Sequence, residues 1–348
     1  MVPVVDLTRR AATLRAPFLE AVDEVLTSGQ LLLGRQLRSF EDEYARWVGQ
    51  EHAIALSSGA AALQLALQAL GVRPGDEVIV PAFTAVPTAS AVAALGAVPV
   101  PIDVTRDTAA IDPALVDAAV TERTAAVVVV HLYGRPAELP VTDLPILEDA
   151  AQAHGALPKH ARSRAAAYSF YPTKNLGGIG DGGAVVTDDG DIAALVTRLR
   201  NHGMATQYVH DAVAQNFRMS EIEAAWLRLS LPLLEAANDR RRAIAAAYRR
   251  TAPHLRWQLD HVSHVHHLAV LRTVERDVVR DRLASRGVAT AVHYPLAITQ
   301  QPAYGHLTRQ PCPEAEAWAR ECVTVPCFPE MTDDEVQLVG DALASLPA

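Results

Sequence analysis

Long apolar runs, signal-like segments and stretches of a single charge are missing from this 348-residue sequence. The N-terminal MVPVVDLTRR has no apolar signal core, and runs such as AAVVVVHLY are too short to cross a bilayer and are typical of buried strands. The formal net charge of −9 is spread along the chain, whereas nucleic-acid binding needs a concentrated basic face. The basic residues of 240–250 alternate with alanine and indicate one solvated helix face. We therefore expect a cytoplasmic protein without nucleic-acid or membrane partners.

Cysteine and aromatic residues are also scarce. The three cysteines, Cys312, Cys322 and Cys327, follow a C-x9-C-x4-C spacing that matches no zinc motif, and their odd number argues against a disulfide framework. We expect reduced thiols. Aromatic residues make up 5% of the chain, but hydrophobic residues make up 50%, which is typical of a packed soluble protein. The length suits a large and a small domain.

Histidines cluster at positions 261, 264, 266 and 267. If this segment is a strand, His264 and His266 share one face, which a metal ion can use. No acidic or cysteine partner stands at a matching spacing, and we predict that the chain has no metal site.

From about residue 52 the chain alternates between short β-branched runs and alanine-rich runs. The predicted strands are 77–81, 97–103, 125–134, 145–150, 165–170 and 182–189, and the predicted helices are 61–70, 88–96, 113–120 and 189–202. Apolar strands between helices indicate an α/β fold with a mostly parallel sheet that helices cover on both faces.

The second region has a different pattern. Residues 216–250 are helical apart from Pro232, 264–273 and 288–295 are strands, 275–287 is a helix, and a last helix starts at Thr332 with an acidic first turn. This pattern predicts a smaller C-terminal α+β domain. We expect residues 1–235 to form the large domain, with an N-terminal helical segment, and residues 236–348 the small one.

Several polar residues fall where strands end, which is where ligands bind in open α/β sheets. Asp149 ends the apolar run ILED, and an acid there needs a cationic partner, such as a protonated heterocycle nitrogen. A strand turns into a helix at Ser57–Ser58–Gly59–Ala60, and free N–H groups of a helix start bind phosphate. Ser169 offers a hydroxyl five residues before Lys174. A lysine for a Schiff base, an acid for a pyridinium nitrogen and a phosphate turn are the parts of a pyridoxal phosphate (PLP) site.

Each of these features alone has an ordinary explanation. A lysine in a glycine-rich loop is usually a surface residue, a Ser-Gly helix start is usually a cap, and a strand-end acid is often a surface group. Their order and spacing favour a cofactor site. The glycines at 177–183 also suggest a nucleotide-dependent oxidoreductase, but they precede a strand instead of joining strand to helix, so the dinucleotide fingerprint fails.

The chain resembles the sugar aminotransferases of the fold-type I PLP family, which act on nucleotide-linked keto sugars or aminocyclitol precursors. The segments that carry the resemblance are SSGAAAL, PGDEVIVPAFT, LEDAAQAHGA, SFYPTKNLGGIGDGG, RLRNHG, QNFRMSEIEAA, HYPLAITQQPAY and PCFPEMT. The resemblance implies a fold-type I PLP-transferase, ping-pong transamination with L-glutamate as the usual donor, and C3 of a deoxysugar somewhat favoured over C4. It also implies a homodimer with shared active sites.

The resemblance implies a role for each matching residue. Lys174 would be the covalent attachment point and proton shuttle, Asp149 would pair with the pyridinium nitrogen, and Gln152 would bond the ring hydroxyl. The phosphate would be held by Gly59, Ala60 and Ser169, and by Asn216 of the other subunit. His293 and Tyr294 would line the substrate cleft, and His154 either neighbours the cofactor or caps the strand end.

Two positions depart from the family pattern. Ala60 stands where the family usually has threonine, so a hydroxyl contact is lost although the backbone N–H remains. Ala85 stands where an aromatic ring commonly stacks on the cofactor, so either a neighbour such as Phe83 covers that ring face or cofactor affinity is lower. These departures keep a second hypothesis open, a non-catalytic PLP-fold regulator, and an aminocyclitol substrate is the other alternative.

Overall fold

The computed structural model of the protein describes residues 1–157 and 163–347. Its largest element is a seven-stranded sheet in the order β1-β7-β6-β5-β4-β2-β3. The strands are β1 (His52–Leu56), β2 (Glu77–Pro81), β3 (Val98–Ile102), β4 (Thr124–Val130), β5 (Ile146–Asp149), β6 (Ala165–Ser169) and β7 (Gly183–Thr187). Strands β2 to β6 pair in parallel, and β7 runs antiparallel to both β6 and β1. The predicted mostly parallel α/β sheet is confirmed.

Helices cover both faces of this sheet. The first eight helices of the chain are α1 (Leu7–Ser28), α2 (Arg35–Val48), α3 (Gly59–Ala69), α4 (Pro87–Ala94), α5 (Val116–Ala119), α6 (Gly190–Arg200), α7 (Glu221–Ser230) and α8 (Leu234–Thr251). On one face, Val128 and Leu147 pack in the same cluster as Leu63 of α3. On the other, Ala166 packs with Phe40 of α2. Because successive strand residues point to opposite faces, a sheet buried on both sides needs the continuous apolar strands seen in the sequence.

The C-terminal part contains a three-stranded antiparallel sheet of β10 (Arg256–Trp257), β11 (Ala269–Arg272) and β12 (Cys322–Val325). Helices α9 (Arg276–Ser285), α10 (Pro313–Glu321) and α11 (Asp333–Ala344) accompany it, and a short hairpin of β8 (Met204–Thr206) and β9 (Val209–His210) precedes α7. Thr332 caps α11, its hydroxyl accepting the Glu335 N–H at 3.2 Å. The first residues of the chain also reach this region, because Val2 forms a parallel bridge with Val288. The domain boundary at 235/236 stays a prediction.

Three of the sequence predictions differ from the structure in this region. The strand expected over 264–273 is confined to Ala269–Arg272, because the histidine side chains before it bond to the large sheet's loops instead of continuing a ladder. Residues 288–295 form no strand but two isolated bridges, from Val288 to Val2 and from Ala291 to Thr324. Helix α7 begins only after its cap, Ser220, and the helical run breaks near Pro232 as expected.

Two negative expectations concern cysteines and membranes. Cys312, Cys322 and Cys327 are free, buried thiols, and burial raises the pKa of each. Among the described residues, none of the helices combines the length and hydrophobicity that a membrane crossing requires.

The buried carboxylate of Glu221 caps the start of α2. It accepts the backbone N–H groups of Gly34 and Gln36, each at 2.7 Å, and of Leu37 at 3.2 Å. These are the donors at the start of α2, which have no partner within the helix. Glu221 is 2% exposed, so water cannot replace it.

We expect Glu221→Ala to lower the free energy of unfolding by about 3 kcal/mol, because it leaves buried N–H groups unpaired. Urea denaturation measures this change. The matched control is Glu24→Ala, which removes an exposed carboxylate that contacts Arg35 of the same helix and should cost less than about 1 kcal/mol. Equal effects of the two substitutions would contradict the assignment.

Candidate active site

The carboxyl ends of β1, β5 and β6 lie at one edge of the sheet. Strands β5 and β6 are parallel, and β1 shares their direction because β7 is antiparallel to both β6 and β1. Gly183 of β7 is paired with Leu56 on one side and with Ser169 on the other. One strand, β7, therefore separates the end of β1, where α3 starts, from Ser169 at the end of β6. At this level the residue of β7 is Gly183.

Glycines at this edge allow backbone and side chain to approach closely. A Cβ on Gly59 would lie 2.6 Å from the Cβ of Ser169, and one on Gly183 would lie 2.3 Å from the carbonyl oxygen of Ser58. Real Cβ atoms do not make such contacts, so both positions need glycine. The result is that the hydroxyl of Ser169 faces the N-terminus of α3.

The first turn of α3 is suited to an anion. The Ser58 hydroxyl accepts the N–H of Ala61 at 3.1 Å, whereas the N–H groups of Gly59 and Ala60 have no carbonyl available within the helix. Together with the Ser169 hydroxyl they form a set of donors at the positive end of the helix dipole. This turn has the chemistry that a phosphate ester requires.

Asp149, the last residue of β5, is buried, with 5% of its surface exposed. Its Oδ2 accepts the hydroxyl of Thr88 at 2.8 Å and its Oδ1 accepts the N–H of Ala151 at 3.2 Å. Burial raises the pKa of this carboxyl, and these hydrogen bonds and the charge of Lys174 oppose the rise. A cation in front of Asp149 would keep it ionised.

Glu148, the residue before, points to the opposite face and has its own partners. Its carboxylate bonds the ring of His131 at 2.8 Å and the Ser163 hydroxyl. Burial is the largest single effect and raises the pKa of Glu148, but the hydrogen bond and charge of His131 together with the Ser163 hydroxyl outweigh it, so the pKa is lowered. Because His131 Nδ1 accepts the N–H of Ala137 at 2.9 Å, its Nε2 carries the proton toward Glu148.

Lys174 lies in the loop after β6, and its surface is partly accessible. Protein atoms nevertheless surround the amine, and this burial disfavours its charged form and lowers its pKa from 10.5 to about 8. The negative charge of Asp149 opposes this effect and raises the pKa. The loop is fixed by the Lys174 N–H, which donates to the Tyr171 carbonyl at 2.8 Å, and by Arg10, which donates to the Lys174 carbonyl at 3.1 Å. An amine with this pKa is partly unprotonated near neutral pH and can attack an aldehyde.

The glycines after Lys174 are needed for packing within the loop and against α7. A Cβ on Gly177 would lie 2.2 Å from the Pro172 carbonyl oxygen, and one on Gly178 would lie 1.5 Å from a carboxylate oxygen of Glu223. Glu223 also accepts the Gly180 N–H at 3.0 Å. Their nearest neighbours thus explain these glycines without a cofactor.

Gln152 and Tyr294 form a polar wall beside Asp149. The Gln152 Oε1 accepts the Tyr133 N–H at 2.6 Å, and its Nε2 donates to the Tyr294 hydroxyl at 3.0 Å. Burial raises the pKa of Tyr294 to about 12, so the phenol stays neutral. This orientation leaves one N–H of Gln152 for a further acceptor.

Three imidazoles surround Lys174 at longer range. The pKa values of His154, His267 and His293 are lowered mainly by burial and further by the charge of Lys174, that of His154 to about 3. The His154 ring packs against Tyr168 and Phe170 with centroid distances of 5.3 and 5.8 Å. It is a buried neutral ring beside the lysine, not a strand cap.

Sequence reasoning missed the network that holds the Lys174 loop. Asn175 donates to Asn238 Oδ1 at 2.8 Å and to the Val265 carbonyl at 3.1 Å, and its own oxygen lies 3.2 Å from His267 Nδ1. Asn238 in turn donates to the His154 carbonyl at 2.8 Å. The segment around 265–267 is thereby fastened to the residue next to Lys174. Thr88 was missed as well.

Three further predicted residues have different surroundings. Phe83 is fully buried, and its ring packs on Trp318 and on Tyr294 with centroid distances of 6.0 and 6.4 Å, while Ala85 is partly exposed. Asn216 is exposed on the surface and its side-chain oxygen accepts from Arg218 at 3.0 Å. The carbonyl of the next residue, Phe217, accepts the Ser57 N–H at 2.8 Å, so the backbone beside Asn216 adjoins the anion turn of the same chain.

The remaining residues fit PLP, because the edge of the sheet combines an anion turn, an acid and a reactive amine. Two observations carry this fit. The close approach of Gly59 to Ser169 brings together the donors that a phosphate needs, and the raised pKa of Asp149 shows a buried carboxyl that a cationic ring nitrogen would keep ionised.

Comparisons with known proteins identify the family to which the chain belongs. A family model described as the DegT/DnrJ/EryC1/StrS aminotransferase family matches residues 13–344. A relative from Streptomyces venezuelae is named dTDP-3-amino-3,4,6-trideoxy-alpha-D-glucose transaminase. It is 42% identical over an alignment 367 residues long, gaps included, which covers 98% of this chain and 95% of that protein.

Two solved structures extend the comparison to the fold and the cofactor. The crystal structure of S. venezuelae DesV in complex with a ketimine intermediate has a TM-score of 0.93 and 40% identity, covering 99% of this chain and 97% of that one. NtdA from Bacillus subtilis, with bound cofactor PMP, has a TM-score of 0.91 and 28% identity, covering 98% and 84%. The chain therefore belongs to the DegT/DnrJ/EryC1/StrS aminotransferase family and is a PLP-dependent sugar aminotransferase.

Proposed function

We propose that this enzyme transfers an amino group from L-glutamate to C3 of a nucleotide-linked keto-deoxysugar, with a dTDP-sugar as the first candidate, in the cytoplasm. The observation that carries the proposal is that Lys174 and Asp149 lie close enough for the charge of each to affect the pKa of the other, at the sheet edge that also holds the anion turn. The position C3 and the dTDP group are favoured by the name of the S. venezuelae relative.

We assign the chemical roles to two residues. When it is bound, PLP supplies an electron-accepting ring that carries the amino group between donor and acceptor. The Lys174 amine holds the cofactor covalently in the resting enzyme and, once released, moves a proton at the substrate carbon. The low pKa of Lys174 lets the same nitrogen give and take that proton near neutral pH. Asp149 keeps the ring nitrogen protonated, and Thr88 orients its carboxylate.

Binding of the cofactor falls to the residues around these two. In our proposal the N–H groups of Gly59 and Ala60 and the Ser169 hydroxyl hold the phosphate, and the free N–H of Gln152 bonds the ring hydroxyl. Asn216 is treated separately, because its side chain is exposed and therefore available to another molecule. We therefore propose a homodimer in which each Asn216 contacts the phosphate of the partner subunit.

The sequence contains two lysines, Lys159 and Lys174, so the role of Lys174 can be tested against one matched control. Lys174→Ala should abolish the yellow absorbance of the covalently bound cofactor and lower kcat by at least about 1000-fold, because both the attachment and the proton transfer are lost. Absorbance spectra and amination assays measure these losses. Lys159→Arg, the matched control, should keep both properties.

Peptide mapping after borohydride reduction makes the same test independent of turnover. The cofactor should remain on the peptide that contains Lys174, in the wild type and in Lys159→Arg. Labelling of Lys159, or a colourless Lys174→Ala that still aminates the sugar, would overturn the assignment.

The second prediction tests the substrate. The amine-loaded enzyme, prepared with L-glutamate, is mixed with 3-keto and 4-keto forms of dTDP-, UDP- and GDP-deoxysugars and a keto-inositol. Return of the absorbance of the lysine-bound cofactor reports amine transfer. We expect the fastest return with a 3-keto dTDP-sugar, whereas a preference for a 4-keto sugar or for the inositol would contradict the proposal. A cofactor that is never converted by glutamate would refute the donor.

A further inference from the structure

Outside the active site, the loop before β11 brings two histidine rings and a carboxylate together. Asp260 Oδ1 lies 3.3 Å from Nδ1 of His264 and 3.5 Å from Nε2 of His266. The candidate ligand atoms of the three residues all lie within 4.8 Å of one another. Both histidines are buried, whereas Asp260 has half of its side chain exposed. The sequence reading found no acidic partner for these histidines, and the structure shows that Asp260, four residues before His264, is that partner.

The hydrogen bonds of His264 leave two acceptors, its Nδ1 and the Asp260 carboxylate, facing each other without a positive charge between them. Its Nε2 lies 3.3 Å from the carbonyl oxygen of Tyr133, which accepts hydrogen bonds only, so this nitrogen carries the ring proton. In a neutral imidazole Nδ1 then presents a lone pair, and it faces the carboxylate of Asp260. Two acceptors at this separation repel each other unless a cation or a second proton lies between them.

The spacing suits a tetrahedral metal ion. Bonds of about 2.0–2.1 Å at tetrahedral angles place neighbouring ligand atoms about 3.3–3.4 Å apart, close to the two separations at Asp260 Oδ1. Histidine ligands usually donate their second ring N–H to a backbone carbonyl, as His264 does to Tyr133. We propose that Asp260, His264 and His266 bind one zinc-type divalent cation, with water as the fourth ligand on the exposed side.

The backbone also favours this arrangement. His266 has a φ of 42°, in the left-handed region that non-glycine residues rarely adopt, and this conformation sets its ring beside that of His264, with centroids 3.7 Å apart and planes 26° from parallel. Binding requires the His266 ring to turn so that its lone pair meets that of His264. The ring torsion of histidine is broad and permits such a turn.

Neighbouring groups leave Asp260 Oδ1 available. That oxygen accepts the His261 N–H at 2.9 Å, which uses one of its lone pairs. The Arg249 guanidinium lies on the other oxygen, its Nε 3.7 Å from Oδ2. The bound ion would therefore sit on the imidazole side of the carboxylate, away from Arg249.

The position of the site suggests what the ion does. His264 contacts the Tyr133 carbonyl, and the Tyr133 N–H donates to Gln152 in the candidate active site. A metal ion that fixes His264 therefore fixes the turn behind Gln152 and joins the loop before β11 to the large sheet. The ion is a structural clamp that takes no part in transamination.

Calorimetric titration of the metal-free PLP enzyme with Zn²⁺, without amino acid, tests the site. We expect one ion per chain in the wild type. Asp260→Asn and His266→Phe should weaken binding by more than about 100-fold, because even partners beyond the direct ligands change metal affinity by 10- to 100-fold. His261→Gln removes an exposed neighbouring ring and should bind as the wild type does.

Cobalt gives a readout that needs no variant. Co²⁺ added to the wild-type enzyme should give the intense visible bands of four-coordinate cobalt, separate from the cofactor absorbance. The proposal is overturned if Zn²⁺ binds below one equivalent, if binding persists in both Asp260→Asn and His266→Phe, or if cobalt gives only weak six-coordinate bands. The first outcome would mean that a second proton occupies the contact between His264 and Asp260.

Discussion

The active site depends on an amine and a carboxylate that the fold removes from water at one edge of the sheet. Burial lowers the pKa of Lys174 and raises that of Asp149, because it disfavours the charged form of each group. The opposite charges of the two groups stabilise each other. In the proposed complex, a cationic ring nitrogen would give Asp149 an opposite charge, and a covalent bond would replace the free amine of Lys174. Cofactor binding would then relieve the cost of burying the two groups.

The rest of the edge is arranged by close backbone contacts. Gly59 and Gly183 let the start of α3 approach Ser169, and the glycines after Lys174 let its loop pack on Glu223 of α7. Asn175 then ties this loop to the C-terminal segment at Val265. The Lys174 loop is therefore connected to the C-terminal segment, and the imidazole of His267 contacts Asn175, the residue next to Lys174.

The sequence predicted what depends on local order. Short sequence motifs, recognised by their period and their end residues, predict the strands of the sheet, the Ser58–Gly59 turn and the positions of Lys174 and Asp149. The contacts from Thr88 to Asp149 and from Gln152 to Tyr294 join residues 61 and 142 positions apart, and no local pattern announces such pairs. The segment before Ala269 was read as a strand because its histidines alternate with apolar residues, but its polar rings bond to Tyr133 and Asn175. Asp260 is only six residues before His266 and contacts it because the segment turns instead of extending as a strand.

The most direct test of the account is the pKa of the Lys174 amine in the cofactor-free protein. Because the chain has two lysines, an NMR titration of protein labelled at the lysine side chains contains two signals, and Lys159→Arg assigns them. The account predicts a midpoint near pH 8 for Lys174, against 10.5 for an ordinary lysine. It also predicts that Asp149→Asn lowers this midpoint further, because the opposing charge is lost. A Lys174 midpoint near 10.5 that does not respond to Asp149 would contradict the claim that the two groups share a buried site.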